Sequence, residues 1–247
     1  EAAFTMPKHP KRRTRRNLAV LALSALCLTG FLYWDNTALQ VTRFDPVFSD
    51  LPAGFDGCRI VVLSDLHGAS FGAHNADLLA AVAAEQPEYI FFLGDLEDKY
   101  RGPADGYPAE TARGLSAIAP TYYVTGNHEW AAGKMQETAA LLADCGVTWL
   151  HNGFVTLQRG GDSLLLAGID DPNGYADQKT PQQVAREVRD AAPEGFWLLL
   201  AHRNNLFESE YAALGADLTL SGHGHGGLWR LPFTDGLLGS GGTLLPS

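Results

Sequence analysis

Residues 58–67, Cys58-Arg59-Ile60-Val61-Val62-Leu63-Ser64-Asp65-Leu66-His67, decide the reading of this chain. The short apolar run ending at Leu63 and Ser64 reads as a buried strand. In extended chain Asp65 and His67, two residues apart, point to one side, and Leu66 turns toward the core. The same arrangement recurs downstream. Tyr89–Leu93 (YIFFL) is followed by Gly94 and Asp95, and Thr121–Thr125 (TYYVT) by Gly126, Asn127 and His128. The run from Phe196 to Leu200 precedes His202, and the run from Asp217 to Leu220 precedes His223 and His225. Helices are expected near 75–86 (capped by Asn75), 109–118, 134–145 and 181–191, with Pro181 at the first turn of the last. Further strands are expected near 147–150, 154–158 and 163–168. This alternation predicts an α/β domain with a sheet core.

Open α/β sheets gather ligands at the carboxyl ends of their strands, where all five polar clusters lie. Glycines 94, 126, 222, 224, 226 and 227 are read as permitting the backbone angles of tight loops beside a site. The donors are carboxylate, amide oxygen and imidazole, without thiolate, which favours Mn, Fe or Zn over a soft metal. Seven such donors exceed what one tetrahedral ion needs. A shared carboxylate holding two ions about 3.5–4 Å apart would use them all. Taken singly, an Asp after a strand is a turn former and an Asn after Gly is a turn residue. The ordered set of five is not explained that way. His9, His74 and His151 fit no pattern and are set aside. Loop 98–110 and segment 171–180 are candidates for the rim of the site.

The order Asp65-Leu66-His67, Gly94-Asp95-Leu96-Glu97-Asp98, Gly126-Asn127-His128-Glu129, His202, Gly222-His223-Gly224-His225 resembles the signature of the calcineurin-like metallophosphoesterases. The resemblance spans about residues 58–231. The basic N-terminus and the string Ser221–Gly227 further resemble the family's membrane-associated bacterial branch, some members of which carry twin-arginine signals. The resemblance implies a four-layer fold, two mixed β-sheets flanked by helices. It implies that Asp65, His67 and His225 hold one divalent metal, that Asn127, His202 and His223 hold a second, and that Asp95 bridges them. His128 would stand beside the leaving group, and Asp98, at the family's second acidic position, behind the ligands. The implied reaction is hydrolysis of a phosphate mono- or diester by hydroxide between the metals. Two departures stand out. Arg203-Asn204-Asn205 occupies a place where a Pro is common, and Gly224 replaces a common Thr. The chain also stops at Ser247, 22 residues after His225, where related chains continue through further strands of the second sheet; a shortened C-terminus is expected.

Charge is unevenly distributed. Residues 1–16 sum to +5, and the whole chain is −10, which leaves −15 for residues 17–247. So acidic a domain repels a nucleic-acid backbone, and no nucleic-acid partner is expected. Residues 18–34 carry no charge and end in Tyr33 and Trp34, a pair suited to a membrane interface. This run reads as an uncleaved anchor in preference to a removed signal. Basic residues before it place residues 1–16 in the cytoplasm and, past a linker at 35–57, the catalytic domain outside the membrane. Arg15-Arg16 matches a twin-arginine signal, although an Arg pair also arises by chance in so basic a stretch. Cys27, Cys58 and Cys145 form no CxxC pair; Cys58 and Cys145 read as core thiols. The expected protein is a monomeric, single-pass membrane phosphoesterase meeting phospholipid, lipid-linked or cell-envelope substrates. The alternatives are a non-catalytic binding module of the same fold and a membrane adaptor, and a complete ligand set argues against both.

Overall fold

The computed structural model describes residues 10–100, 107–174 and 178–225. The chain forms two units, Glu1–Arg43 and Phe44–Ser247. In the first, helix α1 (Pro10–Thr37) runs for 28 residues, about 42 Å at 1.5 Å per residue. Its span Arg13–Asp35 is long and apolar enough to cross a membrane, and none of it is buried against protein. The uncharged run 18–34 lies wholly inside this helix.

The second unit holds two four-stranded sheets. One contains β1 (Ile60–Leu63), β2 (Tyr89–Phe92), β3 (Thr121–Tyr123) and β4 (Thr148–Trp149) in sequence order, all parallel. The other contains β5 (Gly153–Arg159), β6 (Asp162–Ile169), β7 (Trp197–Arg203) and β8 (Leu218–Gly222), also in sequence order. Here β5 and β6 are antiparallel and the other pairs parallel, so this sheet is the mixed one. Gly160 (φ 60°) and Gly161 (φ 93°) form the two-residue turn between β5 and β6, where both positions need positive φ. The helices are α2 (Ala76–Ala84), α3 (Pro108–Ile118), α4 (Asn127–Ala132), α5 (Met135–Asp144) and α6 (Pro181–Ala191).

Side-chain alternation along the strands builds the layers. On β2, Tyr89 and Phe91 enter a core shared with Leu166, Leu198 and Leu200 of the second sheet. Ile90 and Phe92 turn the other way, onto Leu78, Leu115 and Leu142 of α2, α3 and α5. On β7, Leu198 and Leu200 face the first sheet, while Trp197, Leu199 and Ala201 pack on Val184 and Val188 of α6. Strands buried on both faces read as unbroken apolar runs, which is why YIFF and WLLLA carry no polar alternation. The order of layers is helices, parallel sheet, mixed sheet, helix. Cys145 is buried and Cys58 packs against the inter-sheet core, as expected of core thiols.

The ends of the helices carry local chemistry. Thr180 caps α6: its hydroxyl accepts from the Gln183 amide at 3.2 Å, and Gln183 Oε1 accepts from the Thr180 amide at 2.8 Å. Asn75 stands at the start of α2 but does not cap it through its side chain. It is buried, accepting from Phe71 N and donating to Thr111 Oγ1, both at 2.7 Å. Two elements were not expected. Asn127 and His128 open the short α4, so the extended backbone assumed for that pair is incorrect. Asn204–Leu214 coils through 3₁₀ turns and one π-turn, anchored by buried Tyr211. The anticipated C-terminal shortening and Gly226 and Gly227 lie outside the described residues.

Leu166 is fully buried between the sheets. Leu166→Ala is expected to lower stability by about 2–5 kcal/mol through lost burial and a residual cavity. In urea titration this appears as a lower midpoint with an unchanged slope; an unchanged midpoint would contradict the inter-sheet core described here.

Candidate metal centre

The carboxyl ends of β1, β2 and β3 meet those of β7 and β8 at one edge of the sandwich, and backbone bonds lock the loops together. Asp65 N donates to Gly94 O at 3.0 Å, His67 N to Asp95 O at 2.9 Å, and His223 N to Asp65 Oδ2 at 2.8 Å. His128 N donates to Asp95 Oδ1 at 2.9 Å.

All seven sequence-predicted ligand residues converge here. Asp65, His67 and His225 form one cluster whose donor atoms lie within 4.8 Å of one another. Within it His67 Nε2 is 3.0 Å from His225 Nε2, and His225 Nε2 is 3.4 Å from Asp65 Oδ1. Asp95, His202 and His223 form a second such cluster. Asn127 Oδ1 joins it at 3.3 Å from His202 Nε2. Asp95 Oδ2 stands 3.3 Å from His202 Nε2 and 3.5 Å from His67 Nε2, so one carboxylate touches both clusters.

The expected convergence is present, but its backbone cause differs from the one read in the sequence. Asp65 (φ 55°), His67 (46°), Asp95 (54°), His223 (66°) and His225 (52°) are all left-handed, not extended. The ligand residues themselves carry the unusual angles. Among the described glycines beside them, Gly94 (φ 89°) and Gly68 (φ 64°) share these angles, while Gly126, Gly222 and Gly224 do not. Gly126 is extended (φ −99°) and serves close approach: a Cβ there would collide with the Asp95 carboxylate. Gly222 likewise leaves room for Ser64 and Asp65, and Gly224 for Asn204.

The electrostatics suit a cation. Burial pushes the Asp65 carboxyl up, but the nearby His67 imidazole, the Ser64 hydroxyl bond and the charge of His202 outweigh it and hold it at about 2. Burial lowers His202, yet Asp95 and Asp65 carry it up to about 9. The field at this point thus favours positive charge despite burial. His202 Nδ1 is 2.6 Å from the carbonyl of Leu93. A carbonyl only accepts, so Nδ1 holds a proton and Nε2 is turned to the cluster. Asp65 Oδ1 is buried with no hydrogen-bond partner among the described residues, as befits an oxygen meant for a metal. These donors fit a pair of hard-to-borderline divalent ions.

His128 and Asp98 lie on the wall of the cleft above the clusters. His128 Nδ1 is 3.4 Å from both Asp98 Oδ1 and Lys99 N, and its ring packs edge-on to His67 at 4.4 Å. Burial, with His67 adding to it, lowers the His128 pKa. Asp98 therefore stands beside His128 and not behind the ligand histidines. Of the expected rim, Asp171 is instead buried, gripped by Arg203 at 2.6 Å and 3.1 Å. Residues 101–106 and 175–177 lie outside the described residues.

Sequence reasoning passed over Glu129. This buried carboxylate accepts from Asp95 N (3.0 Å), Leu96 N (2.8 Å) and Gly126 N (2.8 Å), joining the loops after β2 and β3. Burial and then Asp95 push it up to about 7, against the pull of those amides. Its signal was present: an acid three residues after Gly126 has the spacing of a capping box.

Comparison with known proteins gives this geometry a context. The chain is 29% identical over 237 residues to a transmembrane protein with a metallophosphoesterase domain from Bos taurus, covering 92% of this chain and 53% of that protein. It is 28% identical over 229 residues to the metallophosphoesterase YkuE of Bacillus subtilis, covering 87% of this chain and 75% of the relative. The chain spans about half the length of the cattle protein and of several other curated relatives it matches. Among solved structures, TT1561 of Thermus thermophilus superposes with a TM-score of 0.43 at 21% identity, over 66% of this chain and 81% of that one. The family profile described as calcineurin-like phosphoesterase matches residues 58–227, well over half the chain. The chain belongs to the calcineurin-like phosphoesterase family.

Proposed function

We propose that the chain hydrolyses a phosphate mono- or diester with two divalent metal ions held where its two sheets meet. The observation that carries this reading is the placement of Asp95 Oδ2 within 3.5 Å of a histidine in each of two donor clusters. Asp65, His67 and His225 would hold one ion, Asn127, His202 and His223 the other, with Asp95 shared. Bound there, the ions supply charge to neutralise the phosphate and make water acidic enough to serve as nucleophile near neutral pH.

The remaining work falls to the cleft wall. With Nδ1 of His128 turned to Asp98 and Lys99, Nε2 is the atom left to face the substrate. From there it passes a proton to the departing alkoxide, a role typically worth about 10²–10⁴ in rate. The uncharged run 18–34 of helix α1 tethers the enzyme to a membrane, and the +5 of residues 1–16 keeps that end in the cytoplasm, with the catalytic domain outside.

Three measurements check this reading. Elemental analysis after metal loading is expected to approach two ions per chain, and Asp95→Ala to weaken both sites; saturation at one, untouched by Asp95→Ala, contradicts the shared carboxylate. His128→Ala is expected to keep its metals while kcat falls by roughly 10²–10⁴ for an alkyl ester, and by less for a nitrophenyl ester whose leaving group hardly needs a proton. Loss of a metal, or equal slowing of both esters, would make His128 a ligand or a positioning residue. Protease added to intact spheroplasts is expected to digest the catalytic domain; protection until lysis would reverse the topology.

A further inference from the structure

Five of the seven proposed ligand residues, His67, Asp95, Asn127, His223 and His225, line a cleft of about 390 Å³, within the usual range for a small-molecule site. Seven of its eight lining residues are carboxylates, histidines or Asn127, the groups a metal pair and a phosphate would engage. The eighth is Tyr100. A solitary exposed aromatic is ordinary on a protein surface. What sets Tyr100 apart is its position. Its ring meets the His128 ring edge-on at 6.3 Å and 87°. The Lys99 ammonium lies 4.7 Å from the Tyr100 ring centroid. The Tyr100 amide donates to Asp98 Oδ1 at 2.8 Å, which fixes the backbone beside the cleft. The ring is nonetheless 82% exposed.

We propose that Tyr100 is a stacking platform for the leaving group, so that the enzyme selects phosphate esters of alcohols that carry a flat aromatic ring. The inference rests on the hydrolase reading above, which puts His128 beside the departing oxygen. A group leaving past His128 next meets Tyr100. Among the described residues that line the cleft, no other offers a carbon-rich surface on which the organic part of the substrate could lose contact with water. One flat ring covering another is favourable for any base or aryl group, since each has a π-face. Lys99 beside the ring adds a cation that attracts the electron-rich face of the incoming group.

Binding and turnover are tested separately on the full-length chain in detergent, loaded with Mn²⁺. By calorimetry, benzylphosphonate is expected to bind roughly tenfold more tightly than ethylphosphonate. Cyclohexylmethylphosphonate, equally greasy but not flat, is expected to fall between them. Tyr100→Ala should collapse the benzyl-over-ethyl ratio and Tyr100→Phe should preserve it. In hydrolysis the same ratio should appear in KM for benzyl against ethyl phosphate, used as monoester or methyl diester. The two leaving alkoxides are of similar basicity, so the chemical step is held nearly constant. A nucleoside 5′-monophosphate run in parallel distinguishes a nucleobase from a simple aryl group as the stacked ring. A cyclohexylmethyl compound that binds as well as benzyl, or Tyr100→Ala weakening benzyl and ethyl compounds alike, overturns the platform. A ring preference in binding without turnover of any ester keeps the platform and removes the hydrolase reading instead.

Discussion

The centre depends on where a single carboxylate is placed. Asp95 Oδ2 faces His67 at 3.5 Å and His202 at 3.3 Å, Oδ1 accepts from the His128 amide, and the backbone oxygen accepts from His67 N. Its own amide is held by Glu129. Few side chains touch so many independent loops, and each contact constrains the others. Gly94 supplies the turn that brings Asp95 around, and Gly126 lacks the Cβ that would collide with it. Moving Asp95 by one methylene, as a Glu would, misplaces it from both histidines at once, and a mismatch of about 1 Å is costly at a reacting centre.

Such a placement carries a cost that the scaffold must absorb. Five ligand-type residues hold left-handed backbone, each disfavoured by on the order of 1–3 kcal/mol. Together that rivals the whole stability of an ordinary domain, about 5–15 kcal/mol. Asp95 is pinned at the end of β2, a strand buried on both faces, while Asp65, His67, His223 and His225 follow the half-buried β1 and β8 and are held by bonds between loops, Asp65 N to Gly94 O, His67 N to Asp95 O and His223 N to Asp65 Oδ2. The run Ile90–Phe92 is buried throughout, so the end of β2 cannot relax without opening a core. Glu129 spends its carboxylate on three amides of the two loops that carry Asp95 and Asn127. The long apolar runs in the sequence and the strain at their ends are thus two parts of one arrangement.

That link also explains what could be read from the sequence and what could not. Strand β2 was legible because burial on both faces leaves an unbroken apolar run, and α6 because Pro181 stands at its first turn. The ligand set was legible because each member follows a short apolar β run. The left-handed angles at Asp65, His67, Asp95, His223 and His225 could not be read from residue type, since Asp and His, although enriched there, take those angles in a small minority of cases and here tertiary contacts select them. Helix α4 escaped for a similar reason: six residues are too few to show a period, and its start is fixed by Glu129 reaching back to Gly126. Glu129 itself stood in the motif, but an acid beside a histidine looks like surface charge until its burial is known. Asp171 reads as a rim residue from its Asp-Pro-Asn-Gly setting; its pairing with Arg203 spans 32 residues and no local pattern announces it.

Charge presents an apparent contradiction that the geometry resolves. Residues 17–247 carry −15, yet the proposed substrate is an anion. Surface charges are screened over about 8 Å at physiological salt, so the distant acids contribute little at the cleft. Close in, the balance is different. Only Asp65 and Asp95 bring negative charge to the two clusters, and the remaining donors are neutral imidazoles and an amide. With a pair of divalent ions bound as proposed, two carboxylates would leave a surplus of positive charge at the cleft floor. The acidic exterior then opposes non-specific binding of nucleic acid and other polyanions, while a small phosphate ester that reaches the floor experiences the local field. A ligand set with more carboxylates and fewer histidines would hold the same ions more tightly but cancel that surplus, and the substrate's charge would lose its counterpart.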